Sequence, residues 1–591
     1  MSSKQFPIDH DIVLPALKAL VRNNPNLNLN VHEKVVYLKP SGKKVTLLSG
    51  GGSGHEPTHA GFVGDGLLDA AVSGSVFASP STKQIQAGLK AIKNPRGTLV
   101  IVKNYTGDVI HFGLAAERVR ASSDGAAGGV EVVVVDDDVS VGRAKGGKVG
   151  RRGLAGTVLV HKASGAAAAQ GKDLPAVAKV AQAIADNTVT IAASLDHCNV
   201  PGRPFETNLT ENEIEIGMGI HNEPGVKKVS PIPTVPDLVK SLLPYLISKE
   251  DKDRAFVDFG ASDEVVLLIN NLGGLSNLEL SYITDVALEQ LEQEHGFKIV
   301  RVITGTFTTA MNGAGFSITL LNASLASKAA NADVVELIDA PVNAPAWTPA
   351  QLTSEAKALA SSGKLNATPP EEQAPAKSAN SGIKVDLEQF KSLLKNGLEE
   401  VKKQEPKITH YDTLAGDGDC GETLVAGANG VEQFFAKAKV SPDAVDLFID
   451  LAEIVEDSMG GTSGGLYSIF LNALAHSIKK HSGKASSLDV ALFADTLPVA
   501  LQSLYKYTRA RPGDRTLIDA LAPFVETLSK TKDFKAAVES ADKGAESTRN
   551  LEANFGRASY VAKEEFEKEG GIPDPGAIGL AAILKGILAK Y

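Results

Sequence analysis

Short runs of β-branched residues punctuate this chain up to residue 303 and then stop, and that break constrains the fold more than any other feature. The runs are residues 45–48, 99–102, 132–135, 189–193, 265–269 and 300–303. Most lead into turns rich in Gly, Asn or Asp, and helical stretches such as 174–186 and 283–295 lie between them. Strands alternating with helices predict an α/β domain with a largely buried sheet, whose ligand-binding loops sit at the carboxyl ends of the strands. Residues 361–382 are rich in Pro, Ala and Ser and carry no apolar period, which reads as a linker. Beyond it, 387–404, 444–458, 466–480, 488–506, 516–530 and 534–551 place apolar residues at helical spacing. Pro498 is expected to kink or split the fourth of these.

The predicted architecture is therefore multidomain. An N-terminal α/β substrate domain spans 1–355, built of two α/β subdomains with a break near 185–200. A linker follows at 356–382, and an all-α C-terminal helical barrel or bundle of about eight helices occupies 383–591. At 591 residues the chain exceeds one hydrophobic core, and length alone suggests about three or four compact units. The net charge of −10, without a sustained basic face, argues against nucleic acid or an anionic membrane as partner. Arg143, Lys145, Lys148, Arg151 and Arg152 cluster among glycines and read as a solvated loop. Two cysteines in this length suit a reducing compartment. No apolar signal core is visible at the start, and no apolar run is long enough to span a bilayer, so the expected location is cytoplasmic.

The most informative stretch is Asp412-Thr413-Leu414-Ala415-Gly416-Asp417-Gly418-Asp419-Cys420-Gly421. Three carboxylates within eight positions repel one another unless a cation sits among them, and hard oxygen ligands suit Mg²⁺ shared with nucleotide phosphates. The plainer reading is an acidic turn with Asp419 capping the next helix. An EF-hand loop fails on spacing and on its closing Glu. A second loop, Met459-Gly460-Gly461-Thr462-Ser463-Gly464-Gly465, contains Gly-x-Ser-x-Gly, but a nucleophile elbow needs a preceding strand and 444–458 reads as helix. Backbone N–H groups and two hydroxyls offered to a phosphate at a helix start fit better, with a simple helix–helix turn as the alternative. Arg511-Pro512-Gly513-Asp514-Arg515-Thr516 offers two cations beside a turn, and Pro573-Asp574-Pro575-Gly576 is a tight turn just before the last helix. Neither standard phosphate motif survives: Val149 replaces the hydroxyl of a P-loop at 142–149, and His55 breaks Gly-x-Gly-x-x-Gly after Gly50.

In the α/β part, three loops gather polar and titratable groups: Gly50-Gly51-Gly52-Ser53-Gly54-His55-Glu56-Pro57, Lys103-Asn104-Tyr105-Thr106-Gly107-Asp108, and Gly217-Met218-Gly219-Ile220-His221-Asn222-Glu223-Pro224-Gly225. Bare glycine backbone permits close approach to a small polyol or ketone, and two His residues each precede a Glu-Pro pair by no more than one residue.

With these motifs in domain order over nearly the whole chain, the sequence resembles the ATP-dependent dihydroxyacetone (glycerone) kinases of the fungal single-chain type. The resemblance implies phosphorylation of dihydroxyacetone, and of glyceraldehyde, with ATP and two Mg²⁺ ions. It implies a covalent hemiaminal between His221 and the carbonyl carbon, with Gly52, Ser53, Gly54, His55, Lys103 and Asp108 around the substrate. Asp108 or His55 would take the hydroxyl proton. Asp412, Asp417 and Asp419 would hold the metal. Nucleotide contacts would come from Cys420, Gly421, Glu422, Thr423, Thr462, Ser463, Thr508, Leu517, Arg557, Asp574, Pro575 and Gly576. It also implies a homodimer in which one subunit's helical domain faces the other's substrate domain. Three alternatives stay open: an FAD-splitting lyase that releases cyclic FMN, a subunit recharged by a phosphocarrier protein, and a ketone-binding sensor without catalysis.

Overall fold

The computed structural model describes residues 8, 11–121, 128–364, 367, 381–437, 439–553, 558 and 571–591. The chain divides into two compact units, Met1–Pro369 and Pro370–Tyr591, fewer than length suggests. The reason is that the first unit contains two sheets sharing one core, so neither stands apart.

The first sheet contains β1 (Asn28–Asn30), β2 (Val35–Tyr37), β3 (Thr46–Ser53), β4 (Ala70–Val76), β5 (Thr98–Lys103) and β6 (Val130–Val135), in the order β1-β2-β4-β3-β5-β6. The four strands from β4 to β6 run parallel and the edge pairs are antiparallel. The second sheet contains β7 (Thr188–Ser194), β8 (Ile214–Ile216), β9 (Lys227–Val229), β10 (Glu264–Asn271), β11 (Lys298–Gly305) and β12 (Gly315–Asn322), in the order β11-β10-β12-β7-β8-β9. Only β10 and β11 are parallel there.

Strand alternation divides the cores. In β10, Val266 and Leu268 join a cluster that also holds Leu47 and Leu99 of the first sheet, while Val265, Leu267 and Ile269 face a separate cluster. The shared cluster takes in helix Thr157–Ala169, buried at all but one of its thirteen residues, and helix Leu174–Asp186. A helix hidden on every side has no polar stripe, so periodicity does not reveal the first of these. Leu174–Asp186, which keeps one wet face, matches the sequence reading residue for residue.

Several sequence boundaries shift. Gly50, Gly51 and Gly52 continue β3 instead of forming a turn after residue 48. The basic cluster at 143–152 is only partly solvated. Arg151 stacks on Phe256 at 3.9 Å and pairs with Asp136, and Arg152 is locked to Asp138 at 2.6 Å.

In the second unit each helix packs on the next and the first on the last, closing a barrel of eight α-helices among the described residues: Leu387–Ala415, Cys420–Lys437, Ala444–Ser458, Gly461–Lys479, Val490–Leu504, Ile518–Thr531, Phe534–Ser547 and Pro575–Leu588. It surrounds an apolar cavity of about 560 Å³ that includes Phe390, Phe448, Phe493 and Phe524 in its wall. Pro498 does not split Val490–Leu504, and the first helix runs through Pro406 to Ala415. Helix Gly461–Lys479 begins five residues before the periodic pattern, absorbing much of the second glycine loop, because glycines carry no apolar signal. Among the described residues, no helix is long and apolar enough to cross a membrane.

Candidate functional site

In the first unit, β3 lies between β4 and β5, so the connections leaving it diverge and a crevice opens at the carboxyl ends of β3 and β5. The end of β3 supplies Gly52, Ser53, Gly54 and His55. The end of β5 supplies Lys103 and, in the first turn of helix Thr106–Ala121, Asp108. Gly52 must stay bare, since a Cβ there would lie 2.7 Å from Ala78 N. Gly54 sits at φ +103°, and a Cβ would lie 2.6 Å from the Phe77 ring. Ser53 turns its hydroxyl away, donating to Gly74 O at 2.9 Å, so only its backbone borders the crevice.

His55 Nδ1 lies 2.8 Å from Thr309 O, and Met311 N donates to Gly54 O at 2.8 Å. The segment between β11 and β12 thus pins the histidine loop. His221 arrives on the loop between β8 and β9. Its Nδ1 lies 2.8 Å from Glu223 Oε1, and its own N–H donates to Glu223 Oε2 at 2.9 Å. Arg152 stands 3.9 Å from that carboxylate and also donates to Gly217 O at 2.7 Å. A carbonyl and a carboxylate only accept, so the hydrogen-bond pattern assigns a hydrogen to Nδ1 in both rings, and the contact between the two Nε2 atoms needs one further hydrogen between them. These two nitrogens face each other at 3.0 Å. Phe77 stacks on His55, and Phe77 and Tyr105 present their edges around His221 with centroids about 5 Å away.

Burial, with Lys103 and His221 adding to it, pushes His55 well below the usual histidine range, so it is neutral at working pH. Burial lowers Lys103 to about 8 against the pull of Asp108. Burial raises Asp108, opposed by the Ser79 hydroxyl and by Lys103. Burial would raise Glu223 as well, but its bonds to His221, the charge of that ring and then the charge of Arg152 outweigh that and hold it at about 2. The result is an imidazole nitrogen backed by an anion, with a carboxylate of raised proton affinity close by. That arrangement can capture a carbonyl carbon and accept a proton from a hydroxyl.

In the second unit, Asp412 ends the first helix, and Asp417 and Asp419 lie in the turn before the second. One carboxylate oxygen from each lies within 4.8 Å of the others. Gly418 makes the turn at φ +82°, and Asp412 Oδ2 accepts from Cys420 N at 3.0 Å. An all-carboxylate set of this size fits a hard divalent cation, with Asp412, Asp417 and Asp419 as its ligands.

Cys420, Gly421, Glu422 and Thr423 form the first turn of helix Cys420–Lys437, and Thr462 and Ser463 the first turn of Gly461–Lys479. Asp574 caps Pro575–Leu588 by accepting from Ala577 N at 2.8 Å, with Pro575 and Gly576 in that helix's first turn. Cys420 hydrogen-bonds Ser463, and burial, then the charges of Asp412, Asp574 and Asp419, push its thiol to about 12. Burial lifts Asp574 to about 6. Three helix N-termini therefore gather beside the aspartates, an environment suited to phosphate groups. Leu517 lies next to Gly576, where a Cβ would stand 3.8 Å from its own. Thr508 serves its own loop, accepting from Ala510 N at 3.1 Å. Arg557 lies outside the described residues.

Sequence reasoning had no means of finding Thr309, Phe77 or the contact of Arg152 with Glu223, because each reaches the site from a distant segment with no motif of its own. Arg515 is buried and donates to Ile572 O at 2.8 Å, so it is part of the core rather than a cation offered beside a turn.

Residues 18–346 match the Dak1 domain and residues 414–589 the DAK2 domain. The chain is 52% identical to dihydroxyacetone kinase 2 of Saccharomyces cerevisiae, with 100% of this chain and 99% of that protein covered. It is also 52% identical to the dihydroxyacetone kinase of Pichia angusta over the same shares. Among solved structures it is similar to the dihydroxyacetone kinase of C. freundii in complex with AMP-PNP and Mg²⁺, at 28% identity, a TM-score of 0.59 and full coverage of both chains.

Proposed function

This chain belongs to the dihydroxyacetone kinase family that joins a Dak1 and a DAK2 domain, and on that footing we propose that it transfers a phosphoryl group from ATP to dihydroxyacetone. Carrying this reading is the presence in one chain of both halves of the chemistry: a histidine paired with a second imidazole and backed by a carboxylate, and an aspartate trio at converging helix N-termini.

The mechanism follows from the tautomers. His221 Nε2 attacks the ketone carbon, a C–N bond forms and the carbonyl π-bond opens onto oxygen. That oxygen takes the hydrogen shared by the two Nε2 atoms: His221 yields it to His55 Nε2 as its own lone pair forms the C–N bond, and His55 passes it on readily because burial disfavours its charged form. The positive charge left on the His221 ring faces the ionised Glu223. Glycerol has no carbonyl and cannot be held this way, so capture doubles as selection. Asp108 accepts the proton of the attacking hydroxyl as its oxygen bonds to phosphorus. Asp412, Asp417 and Asp419 would hold Mg²⁺, which when bound would neutralise charge on the phosphates, most of what phosphoryl transfer asks of a site. We assign two ions to this cluster and place the nucleotide against Cys420, Gly421, Glu422, Thr423, Thr462, Ser463, Asp574, Pro575 and Gly576. Glyceraldehyde, another carbonyl triose, is the second substrate of this reading. A homodimer in the cytoplasm is the proposed working form, the first of which light scattering would count.

The test is ADP release with ATP and Mg²⁺ in the presence of dihydroxyacetone, glyceraldehyde or glycerol. Activity with the two trioses and none with glycerol is expected, and no ADP release with dihydroxyacetone would defeat the proposal. His221→Ala should raise the apparent KM for the triose, whereas Asp417→Ala should raise the Mg²⁺ needed for half-maximal rate. An unchanged KM in the former would remove the covalent role.

A further inference from the structure

His59 is a second buried histidine beside the substrate crevice, and the mechanism above leaves it unused. Its hydrogen can be located. Ser49 donates its hydroxyl to Ile101 O at 2.7 Å, so the Ser49 oxygen accepts from His59 Nδ1 at 3.1 Å. The same Nδ1–H is shared with His161 Nε2, also at 3.1 Å. His59 Nε2 therefore bears a lone pair. It is buried and has no hydrogen-bond partner among the described residues, and the same holds for Asp108 Oδ1.

Gly51 of β3 brings these two orphans together. A Cβ on that glycine would stand 3.7 Å from His59 Nε2 and 3.8 and 3.9 Å from the two Asp108 oxygens. Two buried acceptors over one small space repel unless a hydrogen lies between them. Asp108 carries such a hydrogen at one stage only, after it has taken the proton of the attacking hydroxyl.

We propose that His59 is a positioning residue for Asp108, its Nε2 accepting, directly or through one water over Gly51, the hydrogen that the Asp108 carboxyl gains during phosphoryl transfer. In that step the substrate O–H bond breaks and a carboxyl O–H bond forms. The substrate oxygen's electron pair goes to phosphorus, and the bond from phosphorus to the ADP oxygen breaks with its pair left on ADP. His59 changes no covalent bond. Its lone pair favours the protonated carboxyl over the carboxylate, which makes Asp108 a stronger acceptor of the proton, and it keeps the carboxyl aimed at the substrate oxygen. This inference rests on the reading of Asp108 as the base.

Two variants test it. His59→Phe removes the acceptor at similar size. Gly51→Ala fills the space between the two groups at ordinary contact distance, in a backbone conformation open to any residue, so it keeps the fold if the first variant does not. Steady-state ADP release and capture of labelled dihydroxyacetone on His221 are measured for each, alone and with Asp108→Asn. The expected result is a kcat lower by about tenfold to a hundredfold, within the range that a positioned base supplies. KM and the His221 adduct should stay within about twofold of the parent. In the Asp108→Asn background, followed over long incubations, neither variant should lower the rate further. The inference falls if kcat is unchanged, if KM and adduct fail together with kcat, or if the losses multiply in the Asp108→Asn background. An unmodified chain that releases no ADP would instead defeat the functional reading beneath it.

Discussion

Glu223 and Thr309 each accept a hydrogen from a histidine Nδ1, and that pair of contacts decides which nitrogen of His221 and His55 is free to react. Glu223, held at about 2, stays ionised throughout the working range and opposes the charge that His221 gains on capturing a ketone. Glu223→Gln keeps a hydrogen-bond acceptor but removes the charge. A charge-assisted bond is worth roughly 1–1.5 kcal/mol more than a neutral one, about tenfold in an equilibrium. The expected outcome is a KM for dihydroxyacetone about tenfold higher with kcat changed much less, read in the same ADP-release assay. Equal KM values would mean that the carboxylate only shapes the loop. Glu223 was legible as part of a Gly-Ile-His-Asn-Glu-Pro segment. Its bond to His221, two positions away, needs the αL backbone at Asn222 and the Arg152 that reaches it from residue 152.

Among elements, the helix N-termini of the second unit link local chemistry to the site. Asp574 both caps helix Pro575–Leu588 and lies close enough to Asp412 for the two charges to interact. The two roles separate by substitution. Asp574→Ala removes the cap and should cost the second unit about 1 kcal/mol, whereas Asp574→Asn retains an accepting oxygen and should cost little. Thermal unfolding of the two variants checks this, and equal losses would show that the charge, and not the cap, supports the helix. Periodicity located Ala444–Ser458 and Leu174–Asp186 residue for residue. It failed at Thr157–Ala169, which structure covers on every side so that no polar face sets a period, and at the start of Gly461–Lys479, where glycines are silent. Gly50, Gly51 and Gly52 look like a turn in sequence yet extend β3, since strand pairing with β4 overrides their weak propensity.

Across the whole molecule, the first unit buries three histidines neutral. His55 and His59 are held well below the usual range by burial first, and His161 is lowered to about 3 for the same reason. In the unfolded chain each takes a proton near pH 6.5, and in the folded chain it does not. The unfolded state thus binds more protons below that value, and stability falls as pH falls through it. Three such groups give a limiting slope of about 4 kcal/mol per pH unit. Lys103 and Lys162, at about 8, are protonated in both states within this window and add nothing to the slope. The raised carboxyls Asp69, Asp108, Asp136 and Asp137 oppose the loss only nearer the carboxylate range. The melting temperature of the first unit should therefore drop between about pH 7 and pH 5.5, and His161→Phe should shallow that drop. A flat profile would contradict neutral burial.

The amino-acid order alone determined the change of architecture between the two units, most of the strands, the carboxylate triplet and the loops that carry His55, Asp108 and His221. These are local properties, written in periodicity, turn residues and spacing. Tertiary structure alone decided which atoms of those loops meet: the 3.0 Å approach of two imidazoles 166 residues apart, the Thr309 carbonyl behind one of them, and the gathering of His59 Nε2 and the Asp108 carboxyl beside Gly51. Such contacts follow from how strands order themselves in a sheet and how two sheets share a core. Burial then shifts each group's proton affinity by an amount that no neighbour in the chain can reveal.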